Sequence, residues 1–151
     1  MEKIHYYDTK IEWKKDRIGI ISSTVLPQEI EVATPPEFPK GISRIWSPEH
    51  LFVAACNTCL MTTFLAIAEN SGLVFESFKS EAKGKLETIE GKMLISEITL
   101  RPEVVITNHI DQEKALRILM KSEANCLISN SMKSTIVFEP TIIVNEKVNA
   151  N

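Results

Sequence analysis

The chain is 151 residues long, enough for one domain with a sizeable hydrophobic core and too short for two. Hydrophobic residues make up 44 % of it and charged residues 25 %, so we expect an ordinary soluble globular protein, with one domain spanning residues 1–151. The net charge of −3 and the scattered lysines and arginines give no reason to expect nucleic acid or an anionic membrane as a partner.

The first third of the sequence predicts short strands followed by a loop. Strands are expected at residues 4–13, 18–25 and 29–33, with a turn at 14–17 and a break at Pro27. Three prolines and a glycine in residues 34–41 predict a loop. The N-terminal residues lack the apolar core of a signal peptide, so we expect a cytoplasmic location, where thiols are kept reduced.

A long apolar helix is predicted next. Ser47 suits the N-cap, Pro48 fits the first helical position, and Glu49 adds negative charge where the helix dipole favours it. The helix should stop at Gly72. It is apolar on nearly every face, as expected at the centre of a fold or a dimer. Residues 51–68 carry no formal charge. Because they include polar side chains and are barely long enough to span a membrane, we expect a core helix and not a membrane span.

The remaining sequence predicts a hairpin, two helical segments and a final strand. The hairpin strands are residues 74–86 and 92–101, with a continuation at 104–106; the helical segments are 111–124 and 126–132; the last strand is 134–144, broken or bent at Pro140. Hairpin-like strand pairs favour an antiparallel α+β fold over a doubly wound parallel sheet.

Cysteines carry the candidate chemistry. Cys59 lies inside the long helix, and Cys126 follows a second helical segment. Two thiols on different elements suggest redox chemistry in which one attacks an oxidant and the other closes a disulfide. A free cysteine is often only a small buried hydrophobe, so this interpretation requires a thiolate stabilised by a cation or a helix N-terminus. Since Cys59 lies about three turns into its own helix, we expect it to need an arginine.

Cys56 and Cys59 form a Cys-x-x-Cys motif in the helix interior, whereas a thioredoxin-like site would have it at a helix start. We interpret Cys56 as a packing residue or an auxiliary thiol. A metal site could combine the cysteines with His50 or His109, but structural zinc sites more often show two close ligand pairs. The sequence contains no glycine-rich phosphate loop, Gly-x-Ser-x-Gly elbow or His-Glu-x-x-His motif.

Arg17 and Glu49 are the charged candidates near the thiols. Ten residues of helix place Glu49 about 15 Å from Cys59 along the axis, so the two cannot meet within one straight helix. If Glu49 serves the thiol, it must come from a partner subunit or from a bent helix start. A site shared across a two-fold interface would satisfy this requirement, and an all-apolar helix would suit such an interface.

Residues 46–55, Trp-Ser-Pro-Glu-His-Leu-Phe-Val-Ala-Ala, with Cys59 ten residues after the glutamate, resemble the OsmC/Ohr proteins, the osmotically inducible and organic hydroperoxide resistance proteins. Residues 126–131, Cys-Leu-Ile-Ser-Asn-Ser, resemble the second-cysteine motif of that family, with Leu127 where proline is frequent. The resemblance covers residues 6–144. It implies an OsmC-like α+β fold, with antiparallel sheets wrapped around two long central helices in an intertwined homodimer whose active sites lie at the subunit interface.

The resemblance also implies a thiol peroxidase of oxidative stress defence that has no bound cofactor. Cys59 would be the peroxidatic thiolate that attacks an organic hydroperoxide, and Cys126 the resolving thiol that closes a disulfide with it. An external dithiol reductant, a lipoyl group in the Ohr branch, would restore both thiols. Arg17 would stabilise the thiolate and Glu49 would hold the arginine, with Arg44 as the fallback.

Two other interpretations stay open. One is an OsmC-fold protein that binds a small apolar ligand and whose cysteines are inert. The other is a metal-binding protein that uses Cys56, Cys59 and Cys126. In the peroxidase interpretation, we expect Phe52 and Phe64 to line a pocket for the alkyl group of the substrate.

Overall fold

The computed structural model describes residues 3–146, and the chain divides into two compact units, residues 1–51 and 52–151. In chain order the elements are β1 (Lys10–Lys15), β2 (Ile18–Ser23), β3 (Leu26–Ala33), α1 (Pro48–Asn70), β4 (Ser77–Ile89), β5 (Lys92–Ile106), α2 (Gln112–Ala124), α3 (Leu127–Asn130), β6 (Thr135–Phe138) and β7 (Thr141–Val144). A short 3-10 turn at His109–Asp111 leads into α2.

The first unit contains an antiparallel sheet in the order β1-β2-β3. The turn after β1 is where the sequence predicted it, and Asp16 adopts a left-handed φ of 48° there. The expected strand at residues 4–13 is shorter than predicted, because regular structure begins only at Lys10. Pro27 lies inside β3 and not at a break between strands; β3 is an edge strand, where a residue without an N–H is tolerated.

Both ends of α1 follow the local signals in the sequence. The Ser47 hydroxyl oxygen accepts a hydrogen bond from the His50 N–H at 3.1 Å and also lies 2.7 Å from Nδ1 of His50, which confirms Ser47 as the N-cap. At the other end Gly72 adopts a φ of 67°, and the Leu73 N–H donates to the Ala68 carbonyl at 2.9 Å. These features define a Schellman stop at the predicted glycine.

The second unit contains a mixed sheet around a long hairpin. β4 and β5 pair antiparallel, and the turn between them uses positive φ at Glu90 and Gly91, as two-residue hairpins require. β6 and β7 both pair parallel with β5, along residues 97–100 and 103–106. The α+β class is as expected, with two parallel strand pairs that hairpin patterns did not indicate. Pro102 lies between the two parallel pairings, where the missing N–H breaks neither ladder.

One row of α1 residues forms the core of the second unit. Cys56, Leu60, Phe64 and Ala68 recur every four residues and are fully buried. Leu60 packs with Ile98 and Leu100 of β5, and Phe64 packs with β5 and with the buried face of α2. This row anchors α1 to the sheet and turns the adjacent Cys59 toward the segment that follows α2.

Another side of α1 carries apolar residues that residues 3–146 leave partly exposed. Met61 and Leu65 on this side are 38 % and 41 % exposed. The helix satisfies the length and composition criteria for a membrane span, but core helices of soluble proteins satisfy the same criteria. A helix that is apolar all round, and that the described residues pack on one side, leaves an exposed apolar surface.

Candidate functional site

The structure brings the three cysteines together in the second unit. The chain leaves α2 at Ala124 and returns to α1, so that Cys126 is the N-cap residue of α3 and lies against Cys56 and Cys59. Sγ of Cys126 lies 3.9 Å from the carbonyl oxygen of Cys56, and the thiols of Cys59 and Cys126 are close enough for each to shift the pKa of the other. All three are buried, reduced thiols. Two cysteines that are far apart in sequence therefore form one site.

The turn that presents Cys126 is fixed by side-chain hydrogen bonds of its own motif. The Ser129 hydroxyl donates to the Cys126 carbonyl at 3.1 Å, and the Ser131 hydroxyl donates to the Leu127 carbonyl at 2.8 Å. The Asn130 side-chain amide reaches back to the Ala124 carbonyl at 3.2 Å. Short polar side chains commonly stabilise turns in this way. The Ser-Asn-Ser sequence thus holds the second cysteine in place.

Cys59 is the one thiol of the cluster whose pKa is lowered. Burial raises the pKa of this thiol, but hydrogen bonds from the Ile128 N–H, the Cys126 thiol, the Thr63 hydroxyl and the Leu127 N–H outweigh burial and hold the pKa below its ordinary value. The Thr63 oxygen lies 3.8 Å from Sγ of Cys59. These donors all belong to the second unit, so the thiolate has support before any arginine is considered.

The pKa values of the other two thiols, Cys56 and Cys126, are raised. Burial raises the pKa of Cys56 to about 11, and the neighbouring thiols and Glu123 add to that effect. Burial also raises the pKa of Cys126, with a further contribution from Cys59, against hydrogen bonds from Ser129 that lower it. Of the three thiols, Cys59 is the one whose pKa is lowered, and a thiol with a raised pKa lies beside it.

Arg17 and Glu49 both lie in the first unit, and they do not form an ion pair with each other. Among residues 3–146, Arg17 has no carboxylate partner. Its exposed side chain lines an apolar groove of about 520 Å³, together with Ile11 and Trp13. Oε2 of Glu49 is buried without a hydrogen-bond partner in that same part of the chain. Arg44, the fallback cation, is exposed and has a left-handed φ of 71°.

The described residues offer no metal centre. Within residues 3–146, no three histidine, cysteine or acidic side chains are grouped so as to hold an ion. His50 pairs through Nδ1 with Ser47, and His109 pairs through Nδ1 with Glu146 at 2.6 Å. The metal-binding interpretation therefore has no geometric support in this part of the protein.

One pocket prediction was wrong. Phe64 is fully buried and packs edge-on against Phe75 at 5.1 Å and stacked on Phe78 at 4.9 Å, so it is a core residue that cannot line a substrate pocket. Phe52, near the start of α1, is 38 % exposed. Thr63 was not among the predicted site residues, although a residue four positions after Cys59 lies on the same helix face.

The profile of the OsmC-like protein family matches residues 41–141, and the chain belongs to this family. It is similar to YmaD, an uncharacterized protein of Bacillus subtilis, with 27 % identity over 87 % of this chain and 89 % of YmaD. It is also similar to the structure of an OsmC-like protein of unknown function from Vibrio cholerae, with 25 % identity, a TM-score of 0.81, and coverage of 91 % of this chain and 99 % of that one.

An organic hydroperoxide resistance protein from Elizabethkingia anophelis has a similar structure. The TM-score is 0.75 at 21 % identity, and the match covers 96 % of this chain and 100 % of that protein. At that identity the likeness shows the fold alone. The expected OsmC-like α+β fold is thereby confirmed.

Proposed function

We propose that this protein is a thiol-dependent peroxidase that reduces organic hydroperoxides to alcohols in oxidative stress defence. The observation that carries the proposal is the position of Cys126 beside Cys59, the thiol whose pKa is lowered. A peroxide-reducing cysteine must be a thiolate at neutral pH, and a resolving cysteine must be within reach of it. Membership of the OsmC-like family and the fold shared with an organic hydroperoxide resistance protein support the same chemistry.

The first step consumes the peroxide. The Cys59 thiolate attacks the terminal oxygen of the hydroperoxide, so that an S–O bond forms while the O–O bond breaks. The departing alkoxide takes up a proton and leaves as the alcohol, and Cys59 is left as a sulfenic acid. The sulfur is oxidised by two electrons and the peroxide is reduced by two.

The second step closes a disulfide. Cys126 attacks the sulfenic sulfur; the S–S bond forms, and the hydroxyl group leaves as water after it takes up the proton of Cys126. Because the Cys59 charge helps to raise the pKa of Cys126, its loss in the first step removes that effect and eases deprotonation of Cys126. An external dithiol, such as a lipoyl group, then restores both thiols by exchange and becomes a disulfide itself.

Cys126 is a better resolving thiol than Cys56. The two surround Cys59, but the pKa of Cys56 is raised to about 11, and Cys56 shares the interior of α1 with Cys59. Cys126 comes from the separate segment that leads into α3, and hydrogen bonds from Ser129 offset part of the rise in its pKa. We assign Cys56 to packing.

We further propose that the complete site forms in a homodimer. Within residues 3–146, the Arg17 side chain has no carboxylate partner, Oε2 of Glu49 is buried without a donor, and one apolar face of α1 is exposed at Met61 and Leu65. A second copy that packs on this face would bring an arginine and a glutamate to each Cys59 from across the two-fold axis. The apolar groove beside Arg17 suits the alkyl part of an organic hydroperoxide better than hydrogen peroxide.

The test is mass spectrometry of the reduced protein after one equivalent of cumene hydroperoxide, with hydrogen peroxide run in parallel. We expect a rapid Cys59–Cys126 disulfide that forms preferentially with the organic peroxide. Cys126→Ser should stop at one oxidation, and the matched variant Cys56→Ser should cycle normally with a dithiol. Unreacted thiols would contradict the peroxidase proposal, and a Cys56–Cys59 disulfide would show that the resolving thiol is wrongly assigned.

A further inference from the structure

We propose that Thr63 is a catalytic residue whose hydroxyl donates to the reacting sulfur of Cys59, with the Leu127 N–H as a second donor from the same subunit. The inference rests on the proposed peroxidase function for its consequence in catalysis. Its physical content, a hydroxyl that stabilises the Cys59 thiolate, stands without that function. The Thr63 hydroxyl is thus a source of stabilisation for the Cys59 thiolate that does not depend on an arginine.

The contact follows from helix geometry. Thr63 is four residues after Cys59 on α1, and its oxygen lies 3.8 Å from Sγ of Cys59. Threonine within a helix commonly bonds back to a carbonyl of the preceding turn, and Thr62 does so, since its hydroxyl donates to the Cys59 carbonyl at 3.1 Å. The hydroxyl of Thr63 faces the thiol. Thr63 is thus the residue to be tested, and the adjacent Thr62, whose hydroxyl bonds to the backbone, is its matched control.

The Thr63 hydroxyl lies at a site from which water is largely excluded. Cys59 is 8 % exposed, so solvent can supply few hydrogen bonds to a thiolate there. The titratable groups that face it are Cys56 on α1 and Cys126 ahead of α3, while Glu123 on α2 acts on Cys56. None of these is a cation. Among residues 3–146, the groups that lower the Cys59 pKa are neutral donors, and Thr63 is the side-chain hydroxyl among them.

Leu127 contributes through its backbone. Its side chain is 67 % exposed, but its N–H is one of the donors to Cys59. Proline, which the second-cysteine motif often has at this place, would fit the first position of α3 without strain but has no N–H. Leu127→Pro therefore removes one donor from the thiolate and little else.

The experiment measures the thiolate of Cys59 directly, by absorbance at 240 nm against pH in a Cys56→Ser, Cys126→Ser background. We expect Thr63→Val, which keeps the shape, to raise the Cys59 pKa by about one unit, because a hydrogen bond to a charged group is being removed. Thr63→Ser and Thr62→Val should leave it unchanged, and Leu127→Pro should raise it by about half a unit. With single-turnover oxidation followed below that pKa, Thr63→Val should react about tenfold more slowly.

The outcomes separate the two proposals. An unchanged Cys59 pKa in a folded Thr63→Val protein would overturn the role of Thr63, whatever the enzyme does with peroxide. A raised pKa in a protein that never reacts with hydroperoxides would leave the contact proven and refute the peroxidase. An equal shift in Thr62→Val would mean that the helix has been perturbed as a whole, and would also overturn the assignment.

Discussion

The three thiols should differ in reactivity in a fixed order, with Cys59 first and Cys56 last. A thiol with a pKa of 9.0 is ionised in about 1 molecule in 100 at pH 7, and a pKa of about 11 reduces that fraction to about 1 in 10,000. Cys56 should therefore present about a hundredfold less thiolate than an ordinary cysteine, and its complete burial slows it further. Cys59, whose pKa lies below the ordinary value, should present more.

The assay is pulse alkylation of the reduced protein with iodoacetamide at several pH values, followed by peptide mass spectrometry. Labelling of Cys59 should rise and level off at the lowest pH. Labelling of Cys56 should still be increasing tenfold per pH unit near pH 9, because its thiolate is populated only above that range. Cys56 labelling at a rate similar to that of Cys59 at pH 7 would refute the reasoning from burial.

Three further results are expected. Phe64→Ala should lower the free energy of unfolding by about 3–5 kcal/mol in urea titrations, since Phe64 is a fully buried ring between two others, whereas Leu116→Ala at a 42 % exposed site should cost far less. Arg17→Ala should slow peroxide turnover more than Arg44→Ala; the reverse order would move the role to Arg44. Leu65→Glu should weaken self-association at least tenfold in sedimentation experiments, while Leu65→Met keeps it, because only the charge opposes burial of α1 against a second copy.

The parts of the fold that depend on neighbouring residues were predictable from the sequence. Ser47 and Gly72 mark the ends of α1 because capping is decided within one turn of helix. The hairpin at 90–91 is similarly local. The parallel pairing of β6 and β7 with β5 was not predictable, because it joins strands about 38 residues apart and no turn sequence encodes it.

The site shows the same division. Cys59 and Cys126 were recognisable from their motifs, and the structure places them together. The predicted need for an arginine overlooked donors from Thr63, Leu127 and Ile128, because the sequence does not reveal which amides the turn after α2 directs at the thiol. Assigning Phe64 to a pocket failed for a related reason: in a helix that is apolar all round, composition does not tell which face the sheet covers.

Subunit complementation can decide whether the site is shared. If Glu49 acts across the dimer, a chain with Cys59→Ser still offers its Glu49 to a partner, and a chain with Glu49→Ala still offers its Cys59. Each variant alone should be poorly active. When the two variants are coexpressed in equal amounts, they should pair at random, so that half of the dimers are mixed. Each mixed dimer has one complete site of two, and the preparation therefore has about one quarter of the wild-type number of sites. If both residues acted within one chain, no mixed dimer would contain a complete site and activity would stay at the level of the parent variants. A value near one quarter would also explain why Oε2 of Glu49 is buried without a partner among residues 3–146, since its partner would belong to a site that only the dimer completes.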